Sequence, residues 1–216
     1  MSIAEGTHRL DEANVQLGKE LWVIHSSLAI YRVIGLNAKT IKTARAFFGL
    51  VANQSLLAVA LGLGKVFERE RKGAHELCSV GGVYRLAKAV QIQDNVAAGA
   101  FVRRYGVAPS ADWVHDVAQV FSRQRPRIKC HMQVIKRVRN TRLAHIQQNS
   151  PDGTLPSIAG FEGLLAFAFD FHSFVNEAFL SESSHPTLSD KRVEGSLLRL
   201  LKAIGVTDPV SDFPDI

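Results

Sequence analysis

The sequence predicts an all-α protein, a single-domain helical bundle, and three observations carry that expectation. Leu17, Leu21, Ile24, Leu28 and Tyr31 recur in steps of three and four, the spacing that lines one face of a helix. The stretch 40–69 is so densely apolar that it reads as a helix central to the core. The third observation is the block 161–180. Phe167, Phe169 and Phe171 alternate as a strand would, yet Phe161, Leu164, Leu165, Ala168, Phe171 and Val175 also mark a helical face. Its length, and the lack of a second strand to pair with, favour the helix.

The elements follow in order. A first helix is expected over about 11–36, stopped by Gly35 and Asn37, and a second over about 40–69. Glu68-Arg69-Glu70-Arg71-Lys72-Gly73 ends the second in solvent, with Gly73 as its stop. A third helix is expected over about 75–97, with Leu77, Val80, Tyr84 and Ala87 on one side and Gly81-Gly82 weakening it. Tyr105 to Ser110, including Pro109, reads as a connection, and Ser110 as the cap of a short helix reaching about Phe121. Pro126 suits the first turn of a further helix over about 126–148, which Asn149-Ser150-Pro151-Asp152-Gly153 closes. A last amphipathic helix near 188–204 precedes a short C-terminal tail over about 205–216 that contains Pro209 and Pro214.

A chain of 216 residues is long enough for one sizeable core, so positions 1–216 read as one domain. Cys78 and Cys130 are too few for a disulfide framework or a four-thiolate metal site. With no basic start and apolar run at Met1 to Gly6, a cytoplasmic location is expected. Ala46 to Gly64 carries no charge and approaches the length of a membrane span. Asn53-Gln54-Ser55 at its middle, and three glycines, favour burial in protein, so no membrane partner is expected.

The net charge of +6 is unevenly placed. Between Asp116 and Asp152 stand Arg123, Arg125, Arg127, Lys129, Lys136, Arg137, Arg139 and Arg142, eight cations without one acid. The rest of the chain has eighteen basic against twenty acidic residues. Such a field concentrates a polyanion and strengthens phosphate binding by counterion release. The competing explanation is a solvated helix face whose partner carboxylates come from elsewhere in the fold.

Within that window lies Arg139-Asn140-Thr141-Arg142-Leu143-Ala144-His145. Arginine holds phosphate through paired hydrogen bonds, and histidine moves a proton near neutral pH. On the helix, Val134, Ile135 and Val138 are expected to face the core, with Lys136, Arg139, Asn140 and Arg142 turned away. Arg139 and His145 are then about 9 Å apart along the axis and about 120° apart around it. They do not converge on one straight helix. A second copy of the chain related by a two-fold axis is the simplest supplier of the missing groups. The acidic side chains that a two-metal nuclease needs are absent from the basic window, so no cofactor or metal is expected.

On these residues the chain resembles the HEPN superfamily, the nucleotide-binding domain of higher eukaryotes and prokaryotes. Its hallmark is an arginine, a polar residue and a histidine a few positions beyond. The best match is its AbiU-type abortive-infection branch. Ala46-Phe47-Phe48 leading into Leu61-Gly62-Leu63-Gly64-Lys65-Val66-Phe67, and the motif helix from about Ile128 to Ile146, support the placement. Trp22 to Tyr31 is similar too. The resemblance implies a homodimer with composite sites and metal-independent endoribonuclease activity, carried here by Arg139, Asn140 and His145. The branch often has an aspartate near the end of the second helix. Glu68 stands nearby here and is given no catalytic role. No tyrosine closely follows His145, so the variant controlled by modification of such a tyrosine is not supported.

The expectation is therefore a HEPN-type ribonuclease acting on RNA, a toxin or phage-defence effector with a cognate antitoxin protein as a further partner. Arg139, Asn140 and His145 are its catalytic residues, and Lys136, Arg137, Arg142, Arg125 and Arg127 its RNA-binding ones. The alternatives are a non-catalytic module of the same fold, binding RNA or a partner protein, and a structural protein whose basic helix meets an acidic surface. Other features are discounted. Gly62-Leu63-Gly64-Lys65 lacks the hydroxyl residue and preceding strand of a phosphate loop. His25 reads as a core histidine, Cys130 as a packed one, and Trp22 and Trp113 as core or interface residues. His131 is a further candidate for the basic surface. Asp170 and His172 stand too close in sequence to face together on a helix, which argues against a hydrolase triad.

Overall fold

The computed structural model describes residues 3–68, 78–143, 158–180 and 191–210, with side chains from 4 onward and omitting those of 137–143. Among these residues all the regular structure is helical: α1 (Ile3–Leu36), α2 (Arg45–Val66), α3 (Val80–Ala87), α4 (Asn95–Arg104), α5 (Trp113–Leu143), α6 (Ile158–Val175), a π-helical extension (Asn176–Leu180) and α7 (Arg192–Ala203).

The expected stripe of α1 is its buried face: Leu10, Leu17, Leu21, Ile24 and Leu28 are all fully enclosed, while Tyr31 is half-buried. α1 begins well before the expected position 11. It stops at Leu36 because Asn37 turns the chain, its Nδ2 donating to the Val33 and Val210 carbonyls and its Oδ1 accepting from the Val210 N–H. The second helix starts later than expected. Thr40 Oγ1 donates to the Asn37 carbonyl, and Ala44 takes a left-handed φ of 55° just before Arg45. The proposed stop at Gly73 lies outside the described residues.

α6 resolves the ambiguity of its sequence. Phe161, Leu164, Leu165, Ala168, Phe171 and Val175 are buried, and so are Phe167 and Phe169. A helix buried on nearly all sides carries apolar residues at every register, and three of them in alternation imitate a strand. Its aromatic rings join Phe101, Tyr105 and Phe121 in one cluster, which Trp113 continues through Phe174 and Phe179. The last turn widens into a π-helix, and the Ala178 carbonyl there accepts the N–H groups of Gln93 and Asp94.

Two helix boundaries differ from expectation. The helix expected over 75–97 is two, α3 and α4. Ser79 caps α3, its Oγ accepting from Gly82 N, and Asp94 caps α4, accepting from Val96 and Ala97. An aspartate placed to satisfy free N–H groups starts a new helix. Conversely, the two helices expected on either side of Pro126 are one, α5. Pro126 and Ser122 are both exposed, so the Ser122 carbonyl left without an N–H partner lies on the solvated face of the helix. The expected Ser110 cap is replaced by Asp112, whose Oδ1 accepts from His115 N. Ser110 instead gives its N–H and hydroxyl to the buried Asp116 carboxylate.

Pair contacts fix the directions. Ile24 meets Gly62 and Glu20 meets Lys65, so α1 and α2 are antiparallel. Arg32 pairs with Glu162, and His172 packs on Gly18, so α1 and α6 are antiparallel as well. Arg127 lies over Gly163 and His131 over Gly160, which sets α5 antiparallel to α6. One end of the bundle therefore gathers the C-terminal turns of α1 and α5 and the N-terminal turns of α2 and α6.

Candidate nucleic-acid interface

α5 carries most of the expected site. Val117, Val120, Met132 and Ile135 hold it to the core, with Phe121 and Ile128 half-buried beside them. Ile135 is buried, Val134 half-buried and Lys136 exposed, which matches the expected register as far as that residue. The exposed Arg125, Lys129 and Lys136 fall within a sector of about 40° at 100° per residue. They make a cationic stripe along one edge of the helix.

Two other cations of the run do structural work. Arg123 Nη1 donates to the Gly106 carbonyl at 2.6 Å, at the left-handed turn (φ 73°) that ends α4. That carbonyl belongs to the turn's free backbone groups, so this guanidinium closes a helix end. The Arg127 guanidinium lies where a side chain on Gly163 would stand. It reaches towards Tyr105, whose phenol donates to Asp170 at 2.6 Å. Arg104 pairs with the same carboxylate. Burial, then the bond to Asp170 and that carboxylate's charge, push the Tyr105 phenol well above its ordinary range. Arg127 is exposed, with its guanidinium laid over α6 rather than in the open stripe.

The backbone of Arg137, Arg139, Asn140 and Arg142 belongs to α5, and their side chains lie outside the described residues, as does all of His145. The distance from Arg139 to His145 is thus not given by the structure. The helix axis does set the level of the motif. From His131, which sits against the first turn of α6, to Arg139 is about 12 Å along α5. The described part of the motif, the backbone of Arg139 to Leu143, stands at the end of the bundle described above.

The discounted residues are placed as follows. His25 is buried and meets Phe169 edge-on at 6.2 Å. His131 is half-buried against Gly160, and Cys130 is exposed rather than packed. Asp170 bonds Tyr105 and Arg104, whereas His172 is enclosed near Gly18, Asn14 and Asn176, so the two do not share a site. Gly62 to Lys65 lies within α2: Gly62 admits the Ile24 side chain, and Lys65 Nζ pairs with Glu20 at 3.3 Å. Trp113 packs on Phe179, and Trp22 is half-buried. α2 and the segment Ile158–Leu180 are each long and apolar enough to cross a bilayer, by length and composition alone. α6 is packed at the centre of the fold, while α2 also exposes Phe47, Leu50 and Leu61. Among the described residues no three His, Cys, Asp or Glu side chains cluster as a metal site requires.

One feature was not read from the sequence. A groove of about 970 Å³ opens at the same end of the bundle, between α1, α2 and the start of α6. Tyr31, Ile34, Ile41, Phe48 and Ala52 line it, with Lys39 and Arg45 among its cations. The signal was present: no Asp or Glu occurs between Glu20 and Glu68, while Arg32, Lys39, Lys42, Arg45 and Lys65 do. The apolar density of α2 drew attention away from its charge.

No family model, curated protein or solved structure matches this chain.

Proposed function

We propose that the protein is a metal-independent endoribonuclease of HEPN type, of the AbiU-like abortive-infection branch, that acts as a cytoplasmic homodimer. The observation that carries this reading is the Arg139-Asn140…His145 spacing in an acid-free basic segment, with Arg139 and Asn140 on the helix that also bears the Arg125, Lys129 and Lys136 stripe.

In the proposed reaction the 2′-oxygen of RNA attacks the adjacent phosphorus and the bond to the 5′-oxygen breaks. His145 takes the 2′-hydroxyl proton or gives one to the leaving oxygen, a contribution of about 10²–10⁴-fold in rate. Arg139 neutralises the charge building on the phosphoryl oxygens, and Asn140 orients the arginine or the phosphate. The cations of α5 hold the flanking phosphates. A second copy related by a two-fold axis completes the site with its own motif. The toxin or phage-defence role, with a cognate antitoxin protein, follows from the resemblance.

The test is incubation of the pure protein with a mixed RNA pool in EDTA, beside a His145→Ala control. Cutting by the wild type alone is expected. Cutting that needs magnesium, or that persists in the variant, contradicts the mechanism. Binding without cutting turns the reading to a non-catalytic RNA-binding module.

A further inference from the structure

We propose that the groove between α1, α2 and the start of α6 is a binding site for single-stranded RNA, which takes one unpaired nucleobase between its apolar walls and the flanking phosphates on Lys39, Lys42 and Arg45. The proposal rests on the ribonuclease reading for its substrate class, and adds a place on the surface that the motif does not include.

The walls have the chemistry of a base pocket. Tyr31 is a half-buried aromatic, and Ile34, Ile41, Phe48 and Ala52 supply apolar floor. A base offers a flat apolar face with polar edges, and stacking on an aromatic is tolerant of sequence. The volume of about 970 Å³ suits a nucleotide-sized occupant. A duplex keeps its bases stacked inside, so it has nothing to insert.

The rim has the chemistry of a phosphate track. Glu162 is the one carboxylate among the described lining residues, and Arg32 pairs with it. Lys39 and Arg45 stand on the rim, and Lys42 is exposed on the turn that joins them. An acidic peptide would meet the same cations. RNA is favoured because the basic stripe of α5 rises towards this end of the bundle, so that a chain of phosphates engages both.

The structure also supplies variants that should fold. A side chain built on Gly49 meets nothing within 4 Å, and Gly49 lines the groove. Gly49→Phe therefore fills the site from an exposed helical position. Lys39→Glu with Lys42→Glu reverses charge on the exposed turn. Binding of a labelled single-stranded oligoribonucleotide and of an RNA duplex is measured by anisotropy between about 50 and 200 mM salt. All proteins carry His145→Ala so that the RNA stays whole, and each variant's melting is checked against that background. Gly49→Phe should weaken the single strand about tenfold with an unchanged salt slope, and leave the duplex alone. The lysine reversals should lower the slope by about one unit per cation lost from contact. Single-strand binding unchanged in both variants overturns the proposal. Poly-glutamate that displaces the strand at matched charge overturns it in favour of an acidic protein partner. Loss of a dimer in Gly49→Phe with RNA binding intact overturns it in favour of contact between copies. Cleavage in EDTA by otherwise wild-type protein is scored separately. Groove-dependent binding without cutting removes the ribonuclease reading alone, and cutting with groove-independent binding removes this one alone.

Discussion

Asp170 shows how a residue with catalytic chemistry is spent on structure. Its carboxylate accepts from Tyr105 and pairs with Arg104, tying α4 to α6. Tyr105→Phe removes a charge-assisted hydrogen bond and should destabilise the fold by about 1–2 kcal/mol in denaturant unfolding. An unchanged midpoint would contradict that assignment. Glu194 makes the opposite case. Burial pushes its carboxyl above the ordinary range, more than the nearby Lys191 and Arg32 charges lower it. The folded state therefore favours the protonated form. The stability this group contributes is present in full below the unfolded pKa and is lost as pH rises through the raised value. Glu194→Gln should raise the melting temperature near pH 7 and change it little near pH 4, the margins being about those of an ordinary carboxyl. A lower melting temperature at neutral pH would contradict the sign. The Asp170 partnership could not be read from the sequence because it joins residues far apart in the chain, and the burial of Glu194 depends on packing against elements remote from it.

Among elements, periodicity proved reliable and punctuation less so. The stripe of α1 and the buried face of α6 stand where the spacing of their apolar residues put them. The misplaced boundaries have local causes. Asp94 starts a helix that the apolar pattern had run through, and Pro126 sits on a solvated face where its missing N–H breaks nothing in the core. The cations of α5 were visible, but not their division between the open stripe, Arg123 bonded at the end of α4 and Arg127 lying over α6. Two glycines separate close packing from mere proximity. A Cβ on Gly62 would stand 2.4 Å from the Ile24 side chain in the core, so Gly62→Ala should cost about 1–3 kcal/mol by overpacking. At Gly163 the obstacle is the flexible end of Arg127, which swings aside. Gly163→Ala should fall within about 0.5 kcal/mol of wild type. Equal losses in thermal unfolding would refute the distinction.

At the scale of the molecule, one end of the bundle collects the features that bear on function. The motif helix reaches it, the groove opens there, and the exposed Leu36, Phe47, Leu50 and Ile158 stand near it. On the proposed reading the site is shared between protomers, and two copies joined at this end would bring two α5 C-termini together. Light scattering at micromolar concentration should therefore give twice the chain mass, and a strictly monomeric species would count against the composite site. The sequence carried the candidate chemistry but not its setting, since the groove exists only when the start of α6 meets the α1–α2 pair, more than a hundred residues earlier in the chain. The central claim is that the RNA provides its own nucleophile and that His145 moves the proton. The most direct measurement compares one RNA with its 2′-O-methyl counterpart in EDTA and identifies the product ends. Cutting of the unmodified strand alone is expected, with 2′,3′-cyclic phosphate or its hydrolysed form at the new ends, and none by His145→Ala. Cleavage of the methylated strand, or a 5′-phosphate on the product, would contradict it.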